Sequence, residues 1–120
     1  MTASIENKKI TISIFILPSI VSLLIFFFHY SNLDTRLFFG IQPQNLHYLT
    51  GVFLAPFAHS DYSHLINNTI PLFFLMSLLI YFFDSLSYRL LFLMYFFTGL
   101  GMWFLCPIGH NIIGASGVLY

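Results

Sequence analysis

Charge is nearly absent from this chain. Four Lys or Arg and four Asp or Glu residues are spread over 120 positions, 7% of the sequence, where an ordinary globular chain carries about 25%. So few charges cannot cover a soluble fold of this length. The formal net charge is zero and no basic cluster occurs, which excludes a nucleic-acid-binding surface. Cysteine is as scarce. Cys106 stands alone, which excludes an internal disulfide and any cysteine-built metal cluster, and it reads as a small apolar filler. No internal repeat is present.

What the chain has instead is hydrocarbon. Hydrophobic residues make up 58%, against about 45–50% in a soluble domain. Sixteen phenylalanines contribute to this, as a lipid-facing surface would require. The composition specifies an integral membrane protein with the lipid bilayer as its partner, and the apolar runs that follow make it all-α and polytopic.

The runs of apolar sequence place the spans. Residues 1–9 form a short polar N-terminus. Ile10 to Phe28 carries no charge and is close to the ~20 residues needed to cross a membrane. Pro18 within it is tolerated in such helices. The run is too long for a signal peptide, and His29-Tyr30-Ser31-Asn32 offers no cleavage site, so it reads as an uncleaved span. Residues 31–58 hold Asp34, Arg36, Gly40, Pro43, Gly51 and Pro56, but also Leu37-Phe38-Phe39 and Val52-Phe53-Leu54. That mixture predicts a loop folded back into the interface, with room for a short helix.

A second span is expected from Ser60-Asp61, either of which can cap it, to Phe83. Pro71 removes the bond to the Asn67 carbonyl, so a kink is expected beside Asn68. Asp84 to Arg89 reads as a turn and Leu90 to Cys106 as the third span. Thr98, Gly99 and Gly101 supply small residues for close helix packing, and Tyr88 and Trp103 sit where an aromatic belt would place them. After a loop at 107–111, Ile112 starts a fourth span. Lys8, Lys9 and Arg89 fall on one side and Arg36 on the other. Three against one puts the N-terminus in the cytoplasm. The 31–58 loop then lies outside, and two polar stretches distant in sequence arrive at the same depth.

Those stretches are His59-Ser60-Asp61-Tyr62-Ser63-His64-Leu65-Ile66-Asn67-Asn68 and Gly114-Ala115-Ser116-Gly117. His64 and Asn68 are four apart and share one helix face, whereas His59 belongs to the loop before the helix. Polar groups at a membrane segment are costly and usually functional. Ser116, flanked by small residues, is a potential nucleophile if a base takes its proton. Its attack on a carbonyl would build an oxyanion, to which His64 Nε2–H, the Asn68 carboxamide and a backbone N–H near Ser116 could donate. The plainer reading makes Ser116 a packing serine and His64 with Asn68 a buried pair that orders helix contacts. A zinc site would need three or four ligands, commonly in a His-Glu-x-x-His arrangement, which His-x4-His does not supply. His29, His47 and His110 show no partner pattern.

Taken together, these residues resemble the rhomboid family of intramembrane serine proteases. The match is His59-x4-His64-x3-Asn68 heading the second helix and Gly114-Ala115-Ser116-Gly117 heading the fourth, with wording closest to bacterial members, and it covers residues 10–120. The resemblance implies a rhomboid-like helical bundle, here three full transmembrane helices and the start of a fourth. It implies Ser116 as nucleophile, His64 and Asn68 as oxyanion stabilisers, and His59, Gly114 and Gly117 as supporting residues. It further implies cleavage of transmembrane protein substrates near the outer face of a bacterial plasma membrane, without metal or cofactor. Two features depart from the family. The tryptophan-arginine pair of the first loop is missing, Leu46-His47-Tyr48 standing about where it would be. The family's base, a histidine on the sixth helix, is absent from this chain. A carboxylate at Tyr120 would lie at or below the interface with helical carbonyls unsatisfied in lipid. The sequence is therefore expected to be the N-terminal part of a longer reading frame, inactive as written. A catalytically inactive or truncated rhomboid-like protein that binds transmembrane helices is the alternative, and a structural multi-span protein with no site is the third reading.

Overall fold

The computed structural model describes residues 2–31 and 38–119, with side chains from Ile14 onward and at Ile12, Leu119 excepted. Asp34, Arg36 and Leu37 of the first loop, and Tyr120, lie outside the described residues. The architecture is all-helical. Helix α1 (Thr2–Tyr30) is followed by a 3₁₀ turn at Leu46–Tyr48, helix α2 (Gly51–Leu54) and a second 3₁₀ turn at Ala55–Phe57. Helices α3 (Tyr62–Phe83) and α4 (Ser85–Leu105) come next, then α5 (Ser116–Leu119).

Two of these helices, α3 and α4, are long and apolar enough to cross a membrane. At about 1.5 Å per residue they reach roughly 33 and 32 Å, enough for a hydrocarbon core of about 30 Å. A shorter apolar segment, Ile14–Tyr30, lies in α1. Only 6% of the most apolar window of α4 is buried, against 39% in α3. Phe92, Phe97 and Phe104 on α4, with Phe74 and Phe82 on α3, are exposed. Water would penalise such a continuous apolar face.

The core forms where α1 packs on α3. Ile25, Leu65, Leu72, Met76 and Ala115 are buried together, with Leu17, Val21, Phe26, Phe57 and Leu91 against them. On α3 the positions 65, 68, 69, 72, 76 and 80 are buried, a helical period that turns one stripe inward. The helix continues through Pro71 as a single element. An apolar cavity of about 140 Å³ remains between the helices, lined by Ile25, Leu72, Met76, Leu91, Tyr95 and Ala115 among others.

Several boundaries differ from the sequence expectation. The polar N-terminus is part of α1, which is already helical at Thr2. The turn at 84–89 shrinks to Asp84 alone, and the third long helix starts at Ser85 instead of Leu90. Asp84 takes φ +45° and reverses the chain in one residue. Its carbonyl accepts from both the N–H and the hydroxyl of Ser87. The helix after the 107–111 loop begins at Ser116, not Ile112. Ile112 instead pairs with Ile41 in an isolated antiparallel bridge, through bonds of 2.8 and 2.9 Å.

That bridge fixes the first loop over one end of the bundle. Trp103, expected in an aromatic belt, donates from Nε1 to the Asn45 carbonyl at 3.2 Å, while Gln44 N–H donates to the Trp103 carbonyl at 3.0 Å. The Tyr95 hydroxyl donates to the Phe53 carbonyl. Gly99 lets α2 approach so closely that a methyl there would meet the Val52 carbonyl oxygen at 2.5 Å, whereas Gly101 faces nothing within 4 Å.

Candidate functional site

The site begins where the second 3₁₀ turn ends. Ala58 leaves it in an extended conformation, and His59 follows, 3% exposed. Its ring meets that of His64 edge-on, with centroids 5.0 Å apart at 67°. Burial pushes the His59 pKa down to about 4, helped by the positive potential of His64 and His29. The Phe57 carbonyl and Asp61 act in the opposite sense, too weakly to offset burial. The carbonyl does not reach hydrogen-bond geometry, so neither ring nitrogen has a partner among the described residues.

Asp61 caps α3. Its Oδ1 accepts from the His64 backbone N–H at 2.9 Å, satisfying one of the free donors of the first turn. Its Oδ2 accepts from the Ser60 hydroxyl at 2.7 Å. These two bonds hold the Asp61 carboxyl below its ordinary pKa, the serine contributing most. Ser60 Oγ also lies 3.1 Å from His64 Nδ1. The cap thus fixes both the backbone and the ring of His64.

One turn further along the same face is Asn68, 4% exposed. Its Nδ2 is buried without a hydrogen-bond partner among the described residues, as is the Thr69 hydroxyl. Leaving such groups unpaired costs roughly 1–3 kcal/mol each. A donor held in that state is available to an arriving acceptor.

The second polar stretch reaches this face through backbone contacts. Gly114 N–H donates to the Ala55 carbonyl at 2.8 Å, two residues after the bridge at Ile112. Gly114 has φ +95°, a conformation side-chain-bearing residues rarely take. A methyl built on it would lie 2.6 Å from His64 Nε2 and 2.9 Å from Asn68 Nδ2. The two stretches therefore face each other in contact, and only a glycine fits between them. Ala115 is fully buried in the core. Ser116 is half-buried at the start of α5. Gly117 packs against Met102 and Thr98 of α4, where a side chain would collide with the methionine.

His59, His64, Asn68 and Gly114 are thus brought together, with Ser116 two residues beyond Gly114. Ser116 makes no hydrogen bond to His64 or to another described side chain. His110 is exposed in its loop and His47 is exposed at the end of its turn. Among the described residues no three His, Cys, Asp or Glu side chains converge as a metal site. Two participants were not singled out from sequence as site residues: the Ser60 hydroxyl and the Ala55 carbonyl. The signal for the first is its place directly before the Asp61 cap, where a hydroxyl can reach the cap carboxylate and the first turn of the helix. No sequence pattern marks the Ala55 carbonyl.

No family model matches the chain, and no solved structure matches it. Uncharacterised proteins of Mycobacterium tuberculosis and Mycobacterium bovis are each 36% identical over 101 residues, covering 75% of this chain and 38% of the relative. The chain spans well under half the length of these curated relatives.

Proposed function

We propose that this chain is the N-terminal part of a multi-pass intramembrane serine endopeptidase of the rhomboid type, which cleaves transmembrane substrates near the outer face of the membrane. In this reading α1, α3 and α4 cross the bilayer, α5 begins a fourth span, and the N-terminus is cytoplasmic. Ser116 is the nucleophile, His64 and Asn68 stabilise the oxyanion, and His59, Gly114 and Gly117 shape the site. The base is a histidine carried by a segment beyond these 120 residues.

The observation that carries the proposal is the unpaired Asn68 Nδ2. It is buried, it points to the space where Gly114 has no side chain, and Ser116 follows two residues later. A preformed donor without an acceptor is what a developing oxyanion requires. Asn68 lies on one of the two helices long and apolar enough to cross a membrane.

The test is to express residues 1–120 and an extended reading frame side by side, with a transmembrane reporter and a fluorophosphonate probe. Cleavage and Ser116-dependent labelling from the extended form are expected. An extended form that binds the reporter but neither cleaves it nor labels would replace the protease with a helix-binding protein.

A further inference from the structure

The hydrogen bonds around Ser60 decide which nitrogen of His64 carries the proton. Ser60 has one hydroxyl proton and two neighbours, Asp61 Oδ2 at 2.7 Å and His64 Nδ1 at 3.1 Å. An ionised carboxylate has no proton to offer and is the stronger acceptor, and such charge-assisted bonds are the shorter ones. The Asp61 carboxyl is held in its ionised form by this same bond and by the His64 backbone N–H. The Ser60 proton therefore lies on the Asp61 side. Its oxygen then turns a lone pair towards Nδ1. Two lone pairs facing at 3.1 Å would repel, so Nδ1 must carry hydrogen.

We infer that Ser60 and Asp61 are positioning residues that hold neutral His64 as its Nδ1–H tautomer, so that Nε2 presents a lone pair, not an N–H, towards Gly114. This rests on the proposed reading for its catalytic meaning and changes one part of it. Nε2 is the ring atom packed against Gly114. In the resting neutral ring it is an acceptor. The donor ready for an oxyanion is then Asn68 Nδ2, and His64 in this tautomer offers no hydrogen from Nε2. Ser60 is the one described side chain hydrogen-bonded to the ring, and the contact with His59 is an edge-on ring packing and not a hydrogen bond.

The relay can be reversed while the cap is kept. In Asp61→Asn the side-chain oxygen still accepts from the His64 backbone N–H, and asparagine caps helices as well as aspartate. The amide nitrogen now faces Ser60 Oγ as a donor. The serine proton is released from the carboxylate and can turn to Nδ1, which favours moving the ring's own hydrogen to Nε2. In Ser60→Ala, Nδ1 loses its specific partner and the preference for the Nδ1–H form should be lost. Ser60→Thr keeps the hydroxyl and should restore it.

The experiment is nitrogen and carbon NMR of histidine-labelled chain in lipid bilayers, with the His64 signals assigned by their disappearance in His64→Gln. The wild type and Ser60→Thr should show protonated Nδ1 and bare Nε2. Asp61→Asn should show the opposite tautomer, and Ser60→Ala a mixture or the opposite form. A wild-type ring protonated at Nε2, or a tautomer unchanged in both Asp61→Asn and Ser60→Ala, would overturn the inference. This readout is independent of cleavage. An extended protein without Ser116-dependent activity sinks the protease reading and leaves the tautomer result standing, and the converse also holds.

Discussion

Gly114 and His64 lie far apart in the chain, yet a methyl on the first would lie 2.6 Å from Nε2 of the second. The contact is built by backbone. The Ile41–Ile112 bridge and the bond from Gly114 N–H to the Ala55 carbonyl bring the segment in. The Asp61 cap holds the first turn of α3 opposite. Backbone contacts of this kind fix position more tightly than long side chains do, which suits a site that must hold its groups within a fraction of an ångström.

Gly114→Ala should therefore be the most damaging alanine exchange among the glycines with positive φ. Gly109 has φ +92°, but a methyl there would meet nothing within 4 Å, so Gly109→Ala meets only backbone strain, of order 1–3 kcal/mol. Gly114→Ala meets that strain and a clash with the His64 ring and the Asn68 amide. Gly101→Ala, in a helix interior with open space, should be neutral or stabilising by up to about 1 kcal/mol. Thermal unfolding in detergent checks the order. Equal losses at 109 and 114 would show that the contact at 114 is easily relieved.

His59 should make stability depend on pH. Its pKa falls from 6.5 in the unfolded chain to about 4 in the fold, so between these values the unfolded state binds the extra proton. Stability is then full above pH 6.5 and declines as pH falls towards 4. At about 1.4 kcal/mol per unit the loss is on the order of 3 kcal/mol. Unfolding curves of wild type and His59→Phe across that window are the check. The variant should be flatter, and equal slopes would assign the dependence to other groups.

The fold was legible in outline because hydrophobic runs dictate helices directly. The start of α3 was visible in Ser60-Asp61 and its end in Asp84. What composition could not show was the use of backbone. Ile112 looks like the start of a span because it is apolar and followed by small residues, but its N–H and carbonyl are spent on Ile41. Ser85-Leu86-Ser87 looks like a turn because serines favour turns, but the reversal needs only Asp84. Trp103 reads as a lipid-interface anchor, and the sequence does not show that its indole N–H also holds the Asn45 carbonyl. In the site, spacing alone put His64 and Asn68 on one face. That the face is closed by Gly114, and that Ser60 reads the ring of His64, depends on long-range packing and on hydroxyl direction, which spacing does not encode.

The proposed topology makes a labelling prediction. In a Cys106→Ala background, a cysteine at Thr50, exposed in the first loop, should react with a membrane-impermeant thiol reagent in intact cells. One at Ser85, exposed at the opposite end of α3 and α4, should react only after lysis. The reversed pattern would put Ser116 on the cytoplasmic side and remove the outer-face cleavage from the proposal.

Asn68 separates stability from activity more sharply than any other position. Its buried Nδ2 has no partner among the described residues, so the fold gains nothing from it and carries its desolvation cost. Replacing an unsatisfied buried polar group by an apolar one of similar shape is nearly neutral or stabilising. Asn68→Leu should thus leave the unfolding temperature unchanged or raise it, and should not impair membrane insertion. In the extended protein the same exchange removes a donor aimed at the oxyanion, and one such donor is worth about 10²–10³ in kcat. Turnover should therefore collapse while the protein becomes no less stable. Thr69→Val provides the control, since it also removes a buried unpaired hydroxyl but lies one position around the helix from the Gly114 contact. It should match Asn68→Leu in stability and keep its activity. If Asn68→Leu instead unfolds the chain, the amide has a structural partner, and the reading of Asn68 as a waiting donor fails.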